Sequence, residues 1–339
     1  MPPDVTVVIP AHGHPEVVAV LIRALGEQAA EARLRLPVVV ADDCSPEPLA
    51  APLLAAAPPS VDLRVVRTAR NGGPGAARNR ALAEVITEWV AFIDADELPG
   101  EGWLATLHRH LSGPAVPDVL VGRVAIPTAA GPFEHATEAT AEEEQYVAGN
   151  IAFRAAQLRG DGGFDERFYD PARRLHFRED AELRFRLEAA GRTARYAPDL
   201  VVEHPPLPAS LFGPARLARR YYFDPLLSRE HPERFTEFVR SRTVGPIGLR
   251  RARHDTALLF AAGAATTAAG LATGSRGLAR GGAIALLAGW AAQFFALGWR
   301  RQVRPEHVAP LALLSAITPL VYLWHFYRGV VAFRHHPRW

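Results

Sequence analysis

The chain has 339 residues, more than one compact core usually holds, so we expect one large domain and an additional region. Its net charge of only +2 argues against nucleic acid as a partner. The single cysteine excludes an internal disulfide and is typical of a reducing compartment, and the first residues lack the pattern of a signal peptide.

Short β-branched runs alternate with helical segments over the first hundred residues. Strands are predicted over residues 5–10, 36–43, 61–68 and 89–96, and helices over residues 15–28 and 73–86. This alternation predicts right-handed βαβ units, and therefore a Rossmann-like α/β domain with a mainly parallel central sheet.

Polar side chains follow each of these predicted strands. They are His12, then Asp43 with Asp42 beside it, then Asn71, then Asp94 and Asp96. Ligands of parallel sheets bind at the carboxyl ends of the strands, so these residues predict one binding edge. Mg²⁺ and Mn²⁺ prefer carboxylate and phosphate oxygens, so Asp94-Ala95-Asp96 is a candidate cation site. A lone Asp-x-Asp more often forms a solvated turn, and the other polar strand ends favour the cation.

The second half of the domain is less regular. We predict a strand, a short helix and a glycine turn over residues 149–168, a helix over 177–191, and a strand pair over 194–204 that ends at His204. A proline-rich boundary follows at residues 204–214. The segment after it mixes arginine with aromatic residues, as an interfacial helix does.

The last third of the chain differs in kind. Residues 257–273, 282–299 and 308–327 contain no Asp, Glu, Lys or Arg, and each run approaches the ~20 residues needed to cross a bilayer. A buried helical bundle is the soluble alternative. Pro310 and Pro319 leave the third run open between a span and a re-entrant helix. We therefore predict a catalytic domain at 1–212, an amphipathic juxtamembrane segment at 213–254, and a membrane domain at 255–339 with two to three transmembrane helices.

Arginine clusters flank the first two runs and predict their orientation. The clusters are Arg250, Arg251 and Arg253 before the first run, and Arg300, Arg301 and Arg304 after the second. Because basic residues favour the cytoplasmic side, we expect a multi-pass protein of the cytoplasmic membrane with its catalytic domain inside.

Six segments in order resemble the family 2 glycosyltransferases of the GT-A fold. They are VTVVIPAHGHPE, VVVADDCSPE, NGGPGAARNRAL, FIDADE, GNIAFRAAQLRGDGGFDERF and REDAELRFRLEAAGR, within roughly residues 4–205. Any one of these motifs is weak, but their order and spacing are specific for the family.

The resemblance implies where a nucleotide-sugar would bind. The implied residues are Pro10, Ala11, His12 and Asp43 for the base, Asn71, Gly72 and Gly73 in a loop beside nucleotide and sugar, Arg78 for phosphate or an acid of the site, and Asp94 for the ribose or sugar. Simpler interpretations stay open at three positions. His12 would otherwise be a surface turn residue, Asp43 a cap of the turn beside Ser45, and Arg78 a solvated helix residue.

The resemblance also implies the catalytic groups. Asp96 would bind the metal, and His204 occupies a position where some relatives place a histidine near metal or diphosphate. Asp180 would take the proton from the acceptor hydroxyl, with Glu179 in support. Without the family, Glu179-Asp180 would simply complement a helix dipole and His204 would be a boundary residue.

These inferences predict an inverting, metal-dependent glycosyltransferase. The expected donor is a nucleotide-diphosphate sugar, and UDP is the commonest carrier in the family. The expected cofactor is Mn²⁺ or Mg²⁺. The expected acceptor is a glycan or polyprenyl-linked molecule at the lipid bilayer. The Gln-x-x-Arg-Trp motif of processive synthases is absent after Asp180, so we expect one or a few sugars to be added. The alternatives are a sugar nucleotidyltransferase, whose glycine-rich Arg/Lys loop is missing, and a catalytically inactive membrane scaffold.

Overall fold

The structure is a computed structural model that describes residues 4–113, 115–125, 131–133, 148–205, 209–240, 243–244, 247–298 and 301–335, without the side chains of 239–252. Trp299 of the second apolar run, the flanking residue Arg300 and residues 336–339 lie outside this part, as do the side chains of Arg250 and Arg251. Two compact units are formed by Met1–Thr128 with Ala136–Pro205, and by Ala129–His135 with Pro206–Trp339. The three-region division 1–212, 213–254 and 255–339 stays a prediction.

The first unit is an α/β domain. Its elements are β1 (Val5–Ala11), α1 (Pro15–Glu31), β2 (Leu36–Asp42), α2 (Ala50–Ala56), β3 (Val61–Arg67), α3 (Gly73–Leu82), β4 (Trp89–Phe92), β5 (Leu98–Pro99), α4 (Trp103–Leu111), β6 (Val119–Ala125), β7 (Ile151–Arg154), α5 (Ala155–Gly160), a 3-10 helix (Glu166–Phe168), β8 (Tyr169–Asp170), β9 (Leu175–His176), α6 (Glu179–Ala189) and β10 (Ala194–Glu203). The predicted strands and helices of the first hundred residues are all present, although α3 ends earlier than predicted.

One eight-stranded sheet runs through this unit in the order β3-β2-β1-β4-β7-β6-β10-β5. Strands β3, β2, β1 and β4 are parallel, as are β6 and β10, whereas β7 and β5 pair antiparallel with their neighbours. Alternate strand residues supply apolar side chains to both faces, where Val7 packs with α1, α2 and α4 and Val8 with α3, α5 and α6. The predicted α/β fold with a mainly parallel central sheet is confirmed.

The register of the parallel strands places the predicted polar residues at one edge. Ala11 is paired with Asp42, and Asp42 is paired with Arg67. The Ile93 N–H donates to the Val8 carbonyl at 3.1 Å, which brings the end of β4 to the same edge. Residues that follow β1, β2, β3 and β4 therefore meet there.

The strand pair predicted over residues 194–204 is wrong, because the structure has one strand. β10 follows β6 in parallel and shifts register between Ala197 and Val201. Buried Asn150 fills the irregularity: its amide donates to the Arg123 and Leu200 carbonyls at 2.9 and 2.8 Å, and its oxygen accepts from Trp103 Nε1 at 3.0 Å. A buried amide with all these partners satisfies backbone groups that the bulge removes from the ladder.

The second unit is helical. Its elements are α7 (Gly213–Ala218), a 3-10 helix (Arg219–Phe223), α8 (Asp224–Glu230), α9 (Pro232–Arg240), β11 (Thr243–Val244), β12 (Ile247–Gly248), α10 (Leu249–Thr273), α11 (Arg276–Gly298) and α12 (Pro305–Phe333). Three of these helices, α10, α11 and α12, are long and apolar enough to cross a membrane, and they contain the described residues of the three predicted runs.

Helices α10 and α11 pack as a tight antiparallel hairpin through glycine. A Cβ at Gly263 or Gly270 would meet the backbone of Leu286 or Ala279 on α11. A Cβ at Gly282 or Gly289 would meet backbone atoms of α10 in return. Small residues of this kind let two helix backbones approach closely where no hydrophobic effect drives them together.

Candidate functional site

Asp42 belongs to the framework of the site. Its side chain is 1% exposed and accepts the N–H of Ser45 at 2.8 Å and that of Leu49 at 3.2 Å. Arg67 Nη1 donates to the same carboxylate at 2.5 Å. Burial raises the pKa of Asp42, but these hydrogen bonds outweigh it and hold the pKa below its ordinary value. Asp42, and not Asp43, is thus the residue that caps the turn at Ser45.

Asp43 instead fixes the loop that leads into α3. Its two carboxylate oxygens accept the N–H groups of Gly72 at 2.9 Å and Gly73 at 2.8 Å, and the Thr68 hydroxyl donates to it at 3.0 Å. The α3 N-terminus thereby receives a negative charge and a hydrogen-bond acceptor, which favours the helix start. The glycine loop is held against the end of β2.

Gly73 and Tyr169 fit closely together. Gly73 has φ +80, and a Cβ there would overlap the Tyr169 ring, so both the conformation and the space require glycine. The Tyr169 hydroxyl donates to Asn71 Oδ1, and Asn71 Nδ2 lies 3.1 Å from His12 Nδ1. That His12 nitrogen also lies 2.9 Å from the carbonyl of Asp43. It accepts from Asn71 or donates to Asp43 according to its tautomer, so His12 joins this network either way.

Arg78 lies between the strand-end acids and α6. Its guanidinium is 3% exposed, donates to Asp94 Oδ1 at 2.6 Å, and sits 5.2 Å from the Phe164 ring centroid. Nη1 lies 3.7 Å from Glu179 Oε1, beyond hydrogen-bond distance. Burial opposes the charge, but Asp94, Glu179 and Asp180 outweigh it and raise the Arg78 pKa. Arg78 is therefore not a solvated helix residue.

Glu179 and Asp180 start α6 with very different proton affinities. Arg178 precedes them with φ +78, and Glu179 is 10% exposed with His176 Nδ1 at 3.4 Å. Burial would raise the pKa of Glu179, but His176 and Arg78 lower it to about 2. For Asp180, burial and the charge of Glu179 raise the pKa to about 6, although the Ala181 N–H donates to it at 2.7 Å. The pair thus combines a fixed anion with a carboxylate that exchanges protons near neutral pH.

Asp96 and His204 form the third group of predicted residues. His204 Nε2 lies 3.8 Å from Asp96 Oδ2, and the Asp96 side chain is 44% exposed. His204 Nδ1 donates to the Pro205 carbonyl at 3.0 Å, and Nε2 is the ring nitrogen that lies beside Asp96. Desolvation and the neighbouring charge of Asp94 raise the pKa of Asp96. A divalent cation suits this oxygen and nitrogen donor set, since it would relieve that repulsion.

Glu97 completes the acidic turn after β4. It is 1% exposed, and its carboxylate occupies the space that a Cβ at Gly149 would need. Burial, followed by the charges of Asp94 and Asp96, raises the pKa of Glu97 well above its ordinary value.

The predicted residues thus form three contact groups. Pro10 and Ala11 end β1. The first group consists of His12, Asp43, Asn71, Gly72 and Gly73. The second consists of Arg78, Asp94, Glu179 and Asp180, and the third of Asp96 and His204. Within the described residues, no cluster of three or more His, Cys, Asp or Glu is arranged to hold a metal. A cation here would need oxygen ligands from a phosphate as well, which is the usual arrangement for Mg²⁺.

Sequence reasoning missed Thr68, Tyr169 and His176. Tyr169 and His176 pair in the short β8–β9 hairpin, and with Gly72 and Glu179 they line a shallow depression. The position of His176, three residues before Glu179 at a helix start, is a signal that could have identified it. Tyr169 gave no such signal, because its contact with Gly73 joins residues far apart in the chain.

Several known proteins are similar to this chain. Residues 6–175 match the family described as Glycosyl transferase family 2. The pre-mycofactocin glycosyltransferase of Mycobacterium tuberculosis strain CDC 1551 is 32% identical over 216 residues, which cover 59% of this chain and 42% of that protein. Succinoglycan biosynthesis protein ExoO of Rhizobium meliloti strain 1021 is 37% identical over 95 residues, covering 28% of this chain and 26% of the relative. The chain therefore matches less than half the length of these curated relatives.

One solved structure resembles nearly the whole chain. The mannosyltransferase PcManGT from Pyrobaculum calidifontis, in complex with GDP-Man and Mn²⁺, superposes with a TM-score of 0.52. The match covers 97% of this chain and 88% of the other at 19% sequence identity. At this identity the likeness shows a shared fold.

Proposed function

Since this chain belongs to glycosyl transferase family 2 and has its GT-A fold, we propose that it transfers a sugar from a nucleotide-diphosphate donor to an acceptor hydroxyl. The acceptor oxygen attacks the anomeric carbon as the bond to the diphosphate breaks, in a single displacement that inverts that carbon. The product is a glycoside, and the leaving group is the nucleoside diphosphate.

Asp180 is the proposed general base, and its environment is the observation that carries the proposal. A base works best with a pKa near the operating pH, and the pKa of Asp180 is raised to about 6 by burial and by Glu179. Glu179 is held ionised by His176 and Arg78, so it cannot itself accept a proton near neutral pH. We assign Glu179 the task of strengthening Asp180 as a proton acceptor.

The donor is proposed to bind along the strand-end edge. Pro10, Ala11, His12 and Asp43 would contact the nucleotide base, and Asn71, Gly72 and Gly73 would border the nucleotide and sugar. The fixed loop supports this, because Asp43 binds both glycine N–H groups and Tyr169 closes on Gly73. Asp94, oriented by Arg78, would accept hydrogen bonds from a ribose or sugar hydroxyl. UDP is the expected carrier, and the similar mannosyltransferase was solved with a GDP-sugar.

A divalent cation, Mn²⁺ or Mg²⁺, is proposed to be held by Asp96 and His204. When bound, it would stabilise negative charge on the departing diphosphate. The position of His204 Nε2 beside Asp96 supports the assignment, as does the raised pKa of Asp96. The Pro205 carbonyl orients His204 through Nδ1.

The acceptor is proposed to be a glycan or a polyprenyl-linked molecule at the cytoplasmic face of the membrane. One relative is named for succinoglycan biosynthesis and another for glycosylation of pre-mycofactocin. We propose that α10 and α11 span the bilayer, since both are long and apolar enough. Anchoring raises the effective concentration of a membrane-bound acceptor. The missing Gln-x-x-Arg-Trp motif supports transfer of one or a few sugars.

Thermal shift of the full chain in detergent tests the donor and the cation together. The probes are UDP-glucose, UDP-N-acetylglucosamine and GDP-mannose, each with and without Mn²⁺. A bound donor raises the melting temperature, and we expect Mn²⁺ to enlarge that rise. Asp96→Ala should lose the Mn²⁺-dependent part, whereas Asp62→Ala, an exposed acid on β3, should keep it. A rise with no Mn²⁺ dependence in either protein would contradict the cation site.

Turnover assays distinguish glycosyl transfer from the two alternative functions. Release of nucleoside diphosphate from a donor of this panel supports glycosyl transfer. Pyrophosphate release from a nucleoside triphosphate and a sugar phosphate would instead identify a sugar nucleotidyltransferase. Failure to bind any nucleotide-sugar with Mn²⁺ would support a catalytically inactive membrane scaffold of the same fold.

A further inference from the structure

Helix α12 contacts the α10–α11 hairpin at its open end, opposite the turn at residues 274–275. Trp290 Nε1 donates to the Ala312 carbonyl at 2.9 Å. The rings of His254 and Tyr322 are 5.8 Å apart, and Ala257 packs in a buried cluster with Tyr322. Both contacts with α12 therefore lie in the half of the hairpin that holds the start of α10 and the end of α11.

The turn half of the hairpin, residues 261–288, is not covered by α12. The buried positions there are Gly263, Gly270 and Gly282, and each faces the backbone of the other hairpin helix. Large outward residues stay exposed, as at Leu271 and Ile284. A third span that ran back beside α11 would bury part of this surface, because 29 residues extend about 43 Å as a helix.

The C-terminal half of α12 packs instead on the arginine-bearing 3-10 helix and on α8. Tyr222 and Phe333 have ring centroids 5.0 Å apart, and Gly329 leaves no room for a Cβ against the Tyr222 carbonyl. Arg229 of α8 donates to the carbonyl of Arg334 at 2.6 Å. Arginine is costly in the hydrocarbon core, so this half of α12 lies with groups that belong outside it.

The opposite face of α12 carries an exposed apolar stripe. Its members are Leu313, Leu320, Trp324, Tyr327 and Val331, at helical spacing and 48 to 64% exposed. Trp324 and Tyr327 are the residue types that favour the membrane–water interface, and the guanidinium of Arg328 lies 5.7 Å from the Trp324 ring. Such a stripe beside a cation is typical of a helix lying in the plane of a bilayer surface.

We propose that α12 is an interfacial helix whose stripe rests on the phospholipid surface, so that only α10 and α11 cross the bilayer. The inference rests on the proposed membrane anchorage by the hairpin. Its occupant is lipid because Leu313, the first member of the stripe, directly follows Ala312, whose carbonyl binds Trp290 of the apolar hairpin that we propose crosses the bilayer. The start of α10 and the end of α12 then lie on the same side.

Thiol labelling tests the number of crossings. Cys44 is the only cysteine, so a Cys44→Ala background allows single probes at Ile86→Cys in the first unit, Ser275→Cys in the turn and His335→Cys after α12. A membrane-impermeant maleimide is applied to right-side-out and inside-out vesicles. We expect positions 86 and 335 to label from one side and position 275 from the other. Labelling of position 335 from the side of position 275 would overturn the inference. All three positions labelling from one side would overturn the anchorage itself.

Spin labels measure the depth of the stripe independently. Labels at Leu313, Leu320 and Val331 should show similar, shallow oxygen accessibility, with Ile284→Cys in α11 as the deep standard. A crossing helix would instead show a depth maximum near its middle. Labels shielded from both oxygen and a water-soluble relaxant would mean that a protein, such as a second copy, covers the stripe. Neither experiment depends on turnover, so failure of the glycosyltransferase assay leaves this result readable.

Discussion

Two of the adjacent acid pairs in the first unit, Asp42-Asp43 and Glu179-Asp180, have opposite kinds of surroundings. Asp42 ends β2 and Asp43 follows it, and both accept hydrogen bonds from backbone N–H groups and from Arg67 or Thr68. In the second pair, Glu179 is held ionised and Asp180 has its pKa raised to about 6. The chemistry of each carboxylate thus depends on how hydrogen-bond donors and charges are distributed between the two members of its pair. The β2 pair holds a loop, and we propose that the α6 pair moves a proton.

Replacing Asp180 of the second pair, in Asp180→Asn, should have the largest effect, which is a loss of turnover. A neutral amide cannot accept the acceptor proton, and loss of a general base typically costs about 10²–10⁴-fold in rate. The measurement is nucleoside diphosphate release with a donor that binds in the thermal-shift assay. Donor binding should survive, because Asp180 is assigned to the acceptor. Full turnover in the purified variant would remove Asp180 from the mechanism.

Asp42→Ala should break the first pair through stability. The change strands the Ser45 and Leu49 N–H groups and the Arg67 guanidinium, so we expect a loss of about 2–4 kcal/mol in unfolding free energy. Asp62→Ala is the matched control, because its pair with Arg35 is largely exposed and such pairs contribute about 0–1 kcal/mol. Thermal unfolding of both variants measures the difference. Equal midpoints would show that the burial of Asp42 has no energetic consequence.

Glu179→Gln sharpens the comparison through pH. Turnover requires ionised Asp180, so the rate of the wild type should fall as the pH drops below about 6. Without the Glu179 charge the pKa of Asp180 decreases, and this acidic limb should move to lower pH. Glu188→Gln at the far end of α6 is the control and should leave the limb in place. An unshifted limb in the Glu179 variant would mean that another group titrates.

Asp180→Asn should also stabilise the fold at neutral pH. The folded-state pKa of about 6 lies above the ordinary 3.8, so ionised Asp180 opposes folding increasingly as the pH rises through that window. The variant should melt above the wild type at pH 7 and at the same temperature below pH 4. A melting temperature below that of the wild type at pH 7 would argue that Asp180 is a structural acid.

Strand ends and helices were predictable where the pattern is local. The β-branched runs of β1 to β4 are long enough to identify, whereas β5, β8 and β9 have two residues each and give no periodicity. Helix α4 and strand β6 also escaped prediction. The bulge in β10 did so too, since the Asn150 side chain that stabilises it comes from elsewhere in the chain.

The residue types of the site were predictable, but which residue has which role was not. Which of Asp42 and Asp43 caps the turn depends on the positive φ of Cys44 and on Arg67 arriving from β3. The difference between Glu179 and Asp180 depends on Arg78 and His176, and only the folded chain brings Arg78 beside them. The spacing of His176 and Glu179 is the local part of this information, and the contact with Arg78 is the long-range part that the sequence does not indicate.

The glycine contacts of the α10–α11 hairpin make its two surfaces respond differently to mutation. One extra methyl group at Gly263 or Gly282 would force two backbones apart, whereas the outward positions Leu271 and Ile284 have open space around them. A deep mutational scan of this hairpin should therefore show that larger residues are not tolerated along the narrow glycine seam. Changes in side-chain size should have little effect at almost all other positions of the hairpin. Drift in sequence would then accumulate on the outer surface while the seam stays fixed.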